Sequence, residues 1–590
     1  MHILKKPPWL FLCVIGLLAA SYRPVQTVAK PPLQAEVSPL VWKTLEQESQ
    51  AEVLVVLREQ ADLSDAASLP TKEAKGRYVY ERLRAVAETC QRSLRTLLDA
   101  QQAEYQSFYI VNALKVRANR NLVSALAARP EVARIELNPS VQALPEPVLR
   151  PEKSLAPRGI EGNLARVHAP EVWALGYTGQ GIVVAGQDTG YDWDHPALIR
   201  QYRGWAGATA SHDYHWHDAI HQNDPHTLPG NPCGFDSPVP CDDDGHGTHT
   251  MGILVGDDGM DHQIGMAPGA RWIGCRNMEQ GWGTPASYIE CFEFFLAPYP
   301  VGGTPDEGDP SLAPHVISNS WGCPPDEGCG PATLEAVVKA VRQAGIAVVV
   351  SAGNYGPQCE SVRYPPAIYR ESLAVGAFDH QTDVLLGLSS RGPVTYNGQT
   401  YLKPDIAAPG DSIYSSLPNG LYGFRTGTSM AAPHVAGAVA LFLSAAPGYA
   451  GQVDAIETIL TRTAEPKPDT TCGEAGPPNN VWGWGIVDVL AAVRAVSLLR
   501  GTVTEADSSV PLAGVRVAVD REIAPVAVTN AAGAYTLTLA IDTYTVTADT
   551  TGYLPQTVTN VVVTREAVTT LDFALAPALS WYLPLSVKNR

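Results

Sequence analysis

The chain has 590 residues, 45% hydrophobic and 17% charged, a globular composition too long for one core, so several domains are expected. A formal charge of −18 and the lack of a basic run suited to a phosphate backbone argue against nucleic acid as a partner.

Lys5 and Lys6 precede an apolar run from Trp9 to Ala20, too short to span a bilayer comfortably, which reads as the core of a signal peptide over residues 1–29. No later stretch reaches spanning length, so the expected mature protein is soluble, secreted and extracellular or attached to the cell surface, without a transmembrane segment. Residues 30–157 form the next unit. A strand at 52–57, a long amphipathic helix at 73–100, a strand from Phe108 to Val116, a helix at 121–128 and a strand at 132–137 predict a small α+β module. The Pro-rich stretch from Pro139 to Pro157 predicts an exposed, cleavable linker.

Between residues 158 and 499 the pattern changes to apolar strands at 181–185, 315–318 and 346–350 with a helix at 333–343. Continuous apolar strands with crossover helices predict a doubly wound α/β fold around a parallel sheet. Ligands of such a sheet bind at the carboxyl ends of its strands. Residues 500–576 turn to Val, Thr and Gly with period-two alternation, as in 515–519, 535–539 and 544–548, which predicts a small all-β sandwich. Residues 577–590 form a short apolar tail with a basic end.

Of ten cysteines, Cys13 lies in the leader and Cys90 in the α+β module, leaving eight for an oxidising compartment. Cys233/Cys241 and Cys323/Cys329 close short loops and are the preferred pairs. Cys275/Cys291 and Cys359/Cys472 complete one arrangement among the 105 that eight cysteines allow. No CxxC pair supports the competing zinc reading.

Three segments place a reactive side chain beside glycines: Gln187 to Gly190, Asp244 to His249, and Gly427 to Pro433. Asp188 ends an apolar strand, where its carboxylate can fix the tautomer of an imidazole; alone, such an Asp is more often a turn or cap residue. The glycines flanking His246 allow a substrate backbone to approach, while the His246/His249 spacing equally suits a metal site or a packed pair. Ser429 opens an Ala-rich run in which Pro433 fits only near a helix start. Free N–H groups and positive potential there favour a developing oxyanion, although a lone Ser at a helix start is usually an N-cap. Ala431 stands where the GxSxG elbow needs its second glycine, which removes the dedicated lipase or esterase reading.

In the order Asp, His, Ser, with DTG, HGTH and GTSMAAPHVAG intact, residues 158–499 resemble the subtilase family of serine proteases. The resemblance implies a subtilisin-like peptidase domain in which Asp188 orients His246, His246 acts as base then acid, and Ser429 is acylated. Ser351-Ala352-Gly353-Asn354 resembles the family's oxyanion segment, which makes Asn354 a donor to the tetrahedral intermediate. The stretch containing Ser320, Trp321 and Gly322 resembles the substrate-binding strand, and Arg363 borders the specificity pocket, where an inward guanidinium would attract acidic side chains. Residues 37–140 resemble the family's inhibitory propeptide, whose tail fills the active site before removal, and residues 500–576 resemble carboxypeptidase regulatory-like domains. The expected partners are protein or peptide substrates and the chain's own propeptide, with a monomeric enzyme.

No cofactor is required for the implied chemistry, and structural calcium is the metal left open. Ala197 follows His195-Pro196 where the family's calcium site carries an acid; Asp257, Asp258 and Asp261 offer another loop. The segment from His212 to His221 sets His217 and His221 at a spacing that suits a metal on a helix face. The competing whole-protein reading is a catalytically silent scaffold whose sandwich binds a partner or glycan. Nothing in the residues favours it.

Overall fold

The computed structural model describes residues 35–144, 159–473, 475–521, 525–564 and 568–578, and the backbone of 151–152. The expected leader over 1–29 and most of the tail lie outside the described residues.

The first unit is a five-stranded sheet in the order Glu36–Val37, Val132–Leu137, Ala51–Leu57, Ala113–Ala118, Tyr105–Phe108. Its long helix, Lys72–Ala100, starts where the Thr71 hydroxyl accepts the Ala74 N–H at 3.1 Å. Ala51–Leu57 is apolar without alternation because both faces are buried. Val53 and Val55 pack with Leu94 and Leu98 inside the module, while Leu54 and Val56 join a core shared with the larger domain.

The single strand expected from Phe108 to Val116 is two strands, Tyr105–Phe108 and Ala113–Ala118, paired antiparallel around residues 109–112. The apolar run misled because Tyr109, Ile110 and Val111 are buried for another reason. They form the hairpin tip that enters the shared core.

The central domain is built on parallel strands ordered Trp216–Asp218, Arg271–Arg276, Val183–Asp188, Val316–Asn319, Ala347–Ser351 and Leu373–Asp379, with Ile406–Pro409 also parallel to the last. Successive residues of each strand serve opposite faces, so Val184, Val316 and Val349 meet helices His246–Val255 and Thr428–Ala445. Ala185, Ile317 and Val348 meet Pro285–Leu296 and Pro331–Gln343. Helices on both faces make this the doubly wound α/β architecture. The carboxyl ends of its strands carry Asp188 and Asn319.

The last unit packs two four-stranded sheets around Leu499, Val503, Val517, Leu537 and Val546. Among the described residues four disulfides are formed: Cys233–Cys241, Cys275–Cys291, Cys323–Cys329 and Cys359–Cys472. The last links residues 113 apart in sequence, and closing so long a loop restricts the unfolded chain most. Replacing Cys359 and Cys472 together by serine is expected to cost about 4 kcal/mol, read as a lower urea midpoint.

Candidate active site

Asp188 stands at the carboxyl end of its strand, and His246 begins the helix His246–Val255. Their side chains meet at 2.6 Å, Nδ1 of His246 to Oδ1 of Asp188. The Thr189 N–H donates to the same carboxylate oxygen at 2.8 Å and the Thr250 hydroxyl to the other at 3.3 Å. Burial pushes the Asp188 carboxyl above its ordinary range against the pull of His246 and the Thr189 N–H.

Gly190 and Gly247 let the first two motifs approach each other closely. Gly190 has φ +110°, and a Cβ there would stand 1.7 Å from the Cys241 carbonyl oxygen; one on Gly247 would stand 2.1 Å from the Gly190 oxygen. Asp242 ties the two segments together. It accepts the Thr189 hydroxyl at 2.8 Å and the Thr248 N–H at 2.9 Å, so the strand end and the helix start are fixed to one side chain.

Ser429 is the second residue of the helix Thr428–Ala445, which packs against the His246 helix. Its hydroxyl is buried and has no hydrogen-bond partner among the described residues. Pro433 lies inside this helix, deeper than the sequence reading placed it. Its missing N–H leaves the Ser429 carbonyl, four residues earlier, without a ladder partner, and the Ser320 hydroxyl donates to that carbonyl at 2.9 Å. The proline thus couples the start of the Ser429 helix to the Ser320 segment.

Asn354 follows the strand Ala347–Ser351. Its Oδ1 accepts both the N–H and the hydroxyl of Thr428, at 2.9 and 2.8 Å, which fixes the sense of the amide group. Trp321 is buried and stacks on Tyr288 at 4.0 Å. Gly322 faces Leu144, whose Cδ2 would lie 3.2 Å from a Cβ added there. Leu144 shares one pocket with Ser351, Gly353, Arg363 and Tyr364. Arg363 is exposed, its guanidinium carbon 5.3 and 5.1 Å from the ring centres of Tyr355 and Tyr364, which places its charge at the rim.

The stretch read as an exposed linker therefore begins buried. Val141 is 0% and Leu144 8% exposed. Val141–Gln142 pairs antiparallel with Trp282–Gly283, and the Ala143 N–H donates to the Gly281 carbonyl at 2.7 Å. Period and composition did not reveal this because the strand is two residues long and bordered by prolines.

Several polar residues that hold the site went unremarked in the sequence. Arg276, fully buried beside Asp188 on the neighbouring strand, binds Asp243 and, at 3.2 Å, Asp218. Burial pushes Asp243 up to about 6 even so. On the helix Pro285–Leu296, Glu293 accepts the N–H groups of Tyr109 and Ile110 at 2.7 and 3.0 Å, and burial pushes its carboxyl up to about 8 against the pull of those two N–H groups.

His217 lies in the strand Trp216–Asp218 and not on the helix its spacing suggested. Its Nε2 and that of His221 both face Glu290, at 2.7 and 3.0 Å, and Asp236 takes the other nitrogen of His221 at 2.5 Å. These acids hold His221 up at about 9, and Gln106 of the first unit also donates to Glu290, at 2.7 Å. His249 is buried with Nε2 facing the Ile413 and Gly423 carbonyls at 3.1 and 3.2 Å, a packing role. Asp258 is engaged by the N–H groups of Met260, Asp261 and His262 and by the His262 ring, so the loop offered for calcium closes on itself. Among the described residues no group of three His, Cys, Asp or Glu side chains is arranged to hold a metal ion.

Residues 179–485 match the model of the subtilase family, and residues 499–576 that of the carboxypeptidase regulatory-like domain. Bacillopeptidase F of Bacillus subtilis is 34% identical over 502 residues, 79% of this chain. The chain spans only 33% of that relative's length. The major intracellular serine protease of the same organism is 35% identical over 47% of this chain and 73% of its own, and subtilisin E is 30% identical over 58% and 74%. Fervidolysin from Fervidobacterium pennivorans, a keratinolytic enzyme related to subtilisin, shares the fold with a TM-score of 0.52 at 18% identity, covering 92% of this chain and 80% of that one. With its doubly wound sheet and the matched family model spanning the site, the chain belongs to the subtilase family of serine proteases.

Proposed function

We propose that the protein is a secreted serine endopeptidase, made as a precursor whose first unit is an inhibitory propeptide, with Asp188, His246 and Ser429 as its triad. The observation that carries this reading is the 2.6 Å bond between Asp188 and His246, together with the chain's own residues 141–144 lying along Gly281–Gly283 and in the pocket beside Gly322. Strand addition of that kind is how an extended peptide substrate binds.

In the proposed mechanism Asp188 holds the imidazole in the tautomer that presents Nε2, and His246 takes the Ser429 proton as its oxygen attacks the scissile carbonyl. The proton then passes to the leaving amine, and water hydrolyses the acyl-enzyme by the same route in reverse. The Asn354 amide, set by Thr428, and the Ser429 N–H at the helix start receive the oxyanion. Asn354→Ala is expected to lower kcat by about 10²–10³ with little change in KM; an unchanged kcat removes Asn354 from this role. The chemistry needs no cofactor.

The pocket that holds Leu144 suits an apolar side chain before the scissile bond, and Arg363 at its rim adds attraction for an acidic one. In a peptide library, cleavage after Leu is expected to dominate, with Arg363→Ala selectively weakening cleavage after Glu. Equal loss for both would remove the electrostatic role of Arg363. The C-terminal sandwich is read as a stabilising or adhesion module. Casein hydrolysis by the processed protein tests the whole reading, and a folded, processed protein that leaves casein intact would favour the silent scaffold.

A further inference from the structure

Three short strands lie side by side along the groove. Met278–Glu279 pairs antiparallel with Trp282–Gly283, which pairs antiparallel in turn with Val141–Gln142. Residues directly opposite in such pairs share a face, so the register sets Glu279, Trp282 and Gln142 in one row. With Leu144 in the pocket beside Gly322, Gln142 marks the third side chain before the scissile bond of a substrate in that register.

The enlarged segment between Asp188 and His246 closes on the other end of this row. Its Asp224 N–H and its Asn231 side-chain amide donate to the two carboxylate oxygens of Glu279, both at 2.7 Å, so this fully buried acid takes neutral donors on each side. Its His226 ring stacks on Trp282 with centres 4.3 Å apart and planes 15° apart, and His226 Nδ1 faces the Asp224 carboxylate at 3.0 Å. Two carboxylates and an indole are thereby gathered beside a single imidazole. A cavity of about 490 Å³ adjoins them, lined by Asp224, Glu279 and Trp282 together with Lys115 and Arg117 of the first unit.

Resting on the peptidase reading, we propose that this row is a substrate subsite for a cationic side chain, arginine above lysine, at the third position before the scissile bond. The indole of Trp282 offers a π face that attracts a guanidinium, and Glu279 and Asp224 supply negative charge behind it. Gln142 is exposed and uncharged, so the chain's own segment leaves the subsite unused. Lys115 and Arg117 already set cationic side chains in the cavity, and departure of the first unit opens it to substrate.

The test uses the processed protein and peptides that share leucine before the scissile bond and differ only at the third position before it, which is Arg, Lys, Gln, Glu or Phe. The expected result is a kcat/KM for Arg about tenfold above that for Gln, with Lys between them and Glu lowest. Trp282→Ala is expected to erase the preference for Arg over Gln, whatever it does to the overall rate, while Trp282→Phe keeps part of it and Glu279→Gln weakens it. Loss of rate in Trp282→Ala with the preference intact would make the stack on His226 a packing contact and overturn the subsite. Equal cleavage of the Arg and Gln peptides by the wild type, or a preference for Phe, also overturns it. A wild type that cleaves none of the peptides overturns the peptidase reading instead, which separates the two failures.

Discussion

Ser429→Ala is expected to lower kcat for casein by about 10⁶-fold while leaving the urea midpoint nearly unchanged. The hydroxyl is small, buried and without a hydrogen-bond partner among the described residues, so its removal strands no polar atom. Adding His246→Ala to Ser429→Ala is expected to cost little more, because nucleophile and base act as one unit. Turnover of the double variant should stay above that in water, since the proposed oxyanion donors, Asn354 and the helix start, are left in place. Additive losses would mean that His246 works apart from Ser429.

A large effect on stability is expected at Arg276. Its guanidinium is completely buried between Asp218 and Asp243, and the Gly234 carbonyl accepts from it at 3.0 Å. Arg276→Ala removes the only cation paired with these two carboxylates among the described residues, at an expected cost of about 3–5 kcal/mol. Denaturation is best measured in the Ser429→Ala background, where self-digestion is absent. Combining Arg276→Met with Asp218→Asn and Asp243→Asn is expected to restore much of the loss, because no charge is then left buried alone. If the triple variant is no more stable than Arg276→Ala, packing rather than charge accounts for the cost. The effect should extend to activity, since the neighbouring strand carries Asp188 and Asp243 also accepts the Gln280 N–H beside the groove.

The residues proposed for the site, Asp188, His246, Asn354 and Ser429, stand in short motifs that sequence alone displays. Beside Asp188 and His246 the close backbone approach at Gly190 and Gly247 demands glycine, which makes those two motifs conspicuous. The parallel sheet was legible for a similar reason. A strand buried on both faces, such as Ala347–Ser351, is apolar throughout.

What escaped were features that depend on distant partners. The 109–112 tip is apolar because it docks on the central domain, and it was absorbed into a strand that ends before it. Val141–Gln142 pairs with residues some 140 positions later, and no local pattern announces that. His217 and His221 were spaced for a helix, yet the polypeptide there is a strand and a loop whose imidazoles converge on Glu290. Pro433 violates the helix rule because Ser320 supplies the bond that its missing N–H cannot. Asp218 and Asp243 lie far from Arg276 in sequence and form a buried ion cluster with it in the fold.

Ser429 is the proposed nucleophile, masked in the precursor by the chain's own residues 141–144. The measurement that tests it most directly is labelling with a fluorophosphonate, followed by peptide mapping, on precursor and processed protein side by side. A single adduct is expected, on Ser429, formed rapidly in the processed protein and hardly at all in the precursor. An adduct on another serine, none in the processed protein, or equally fast labelling of the precursor would contradict it.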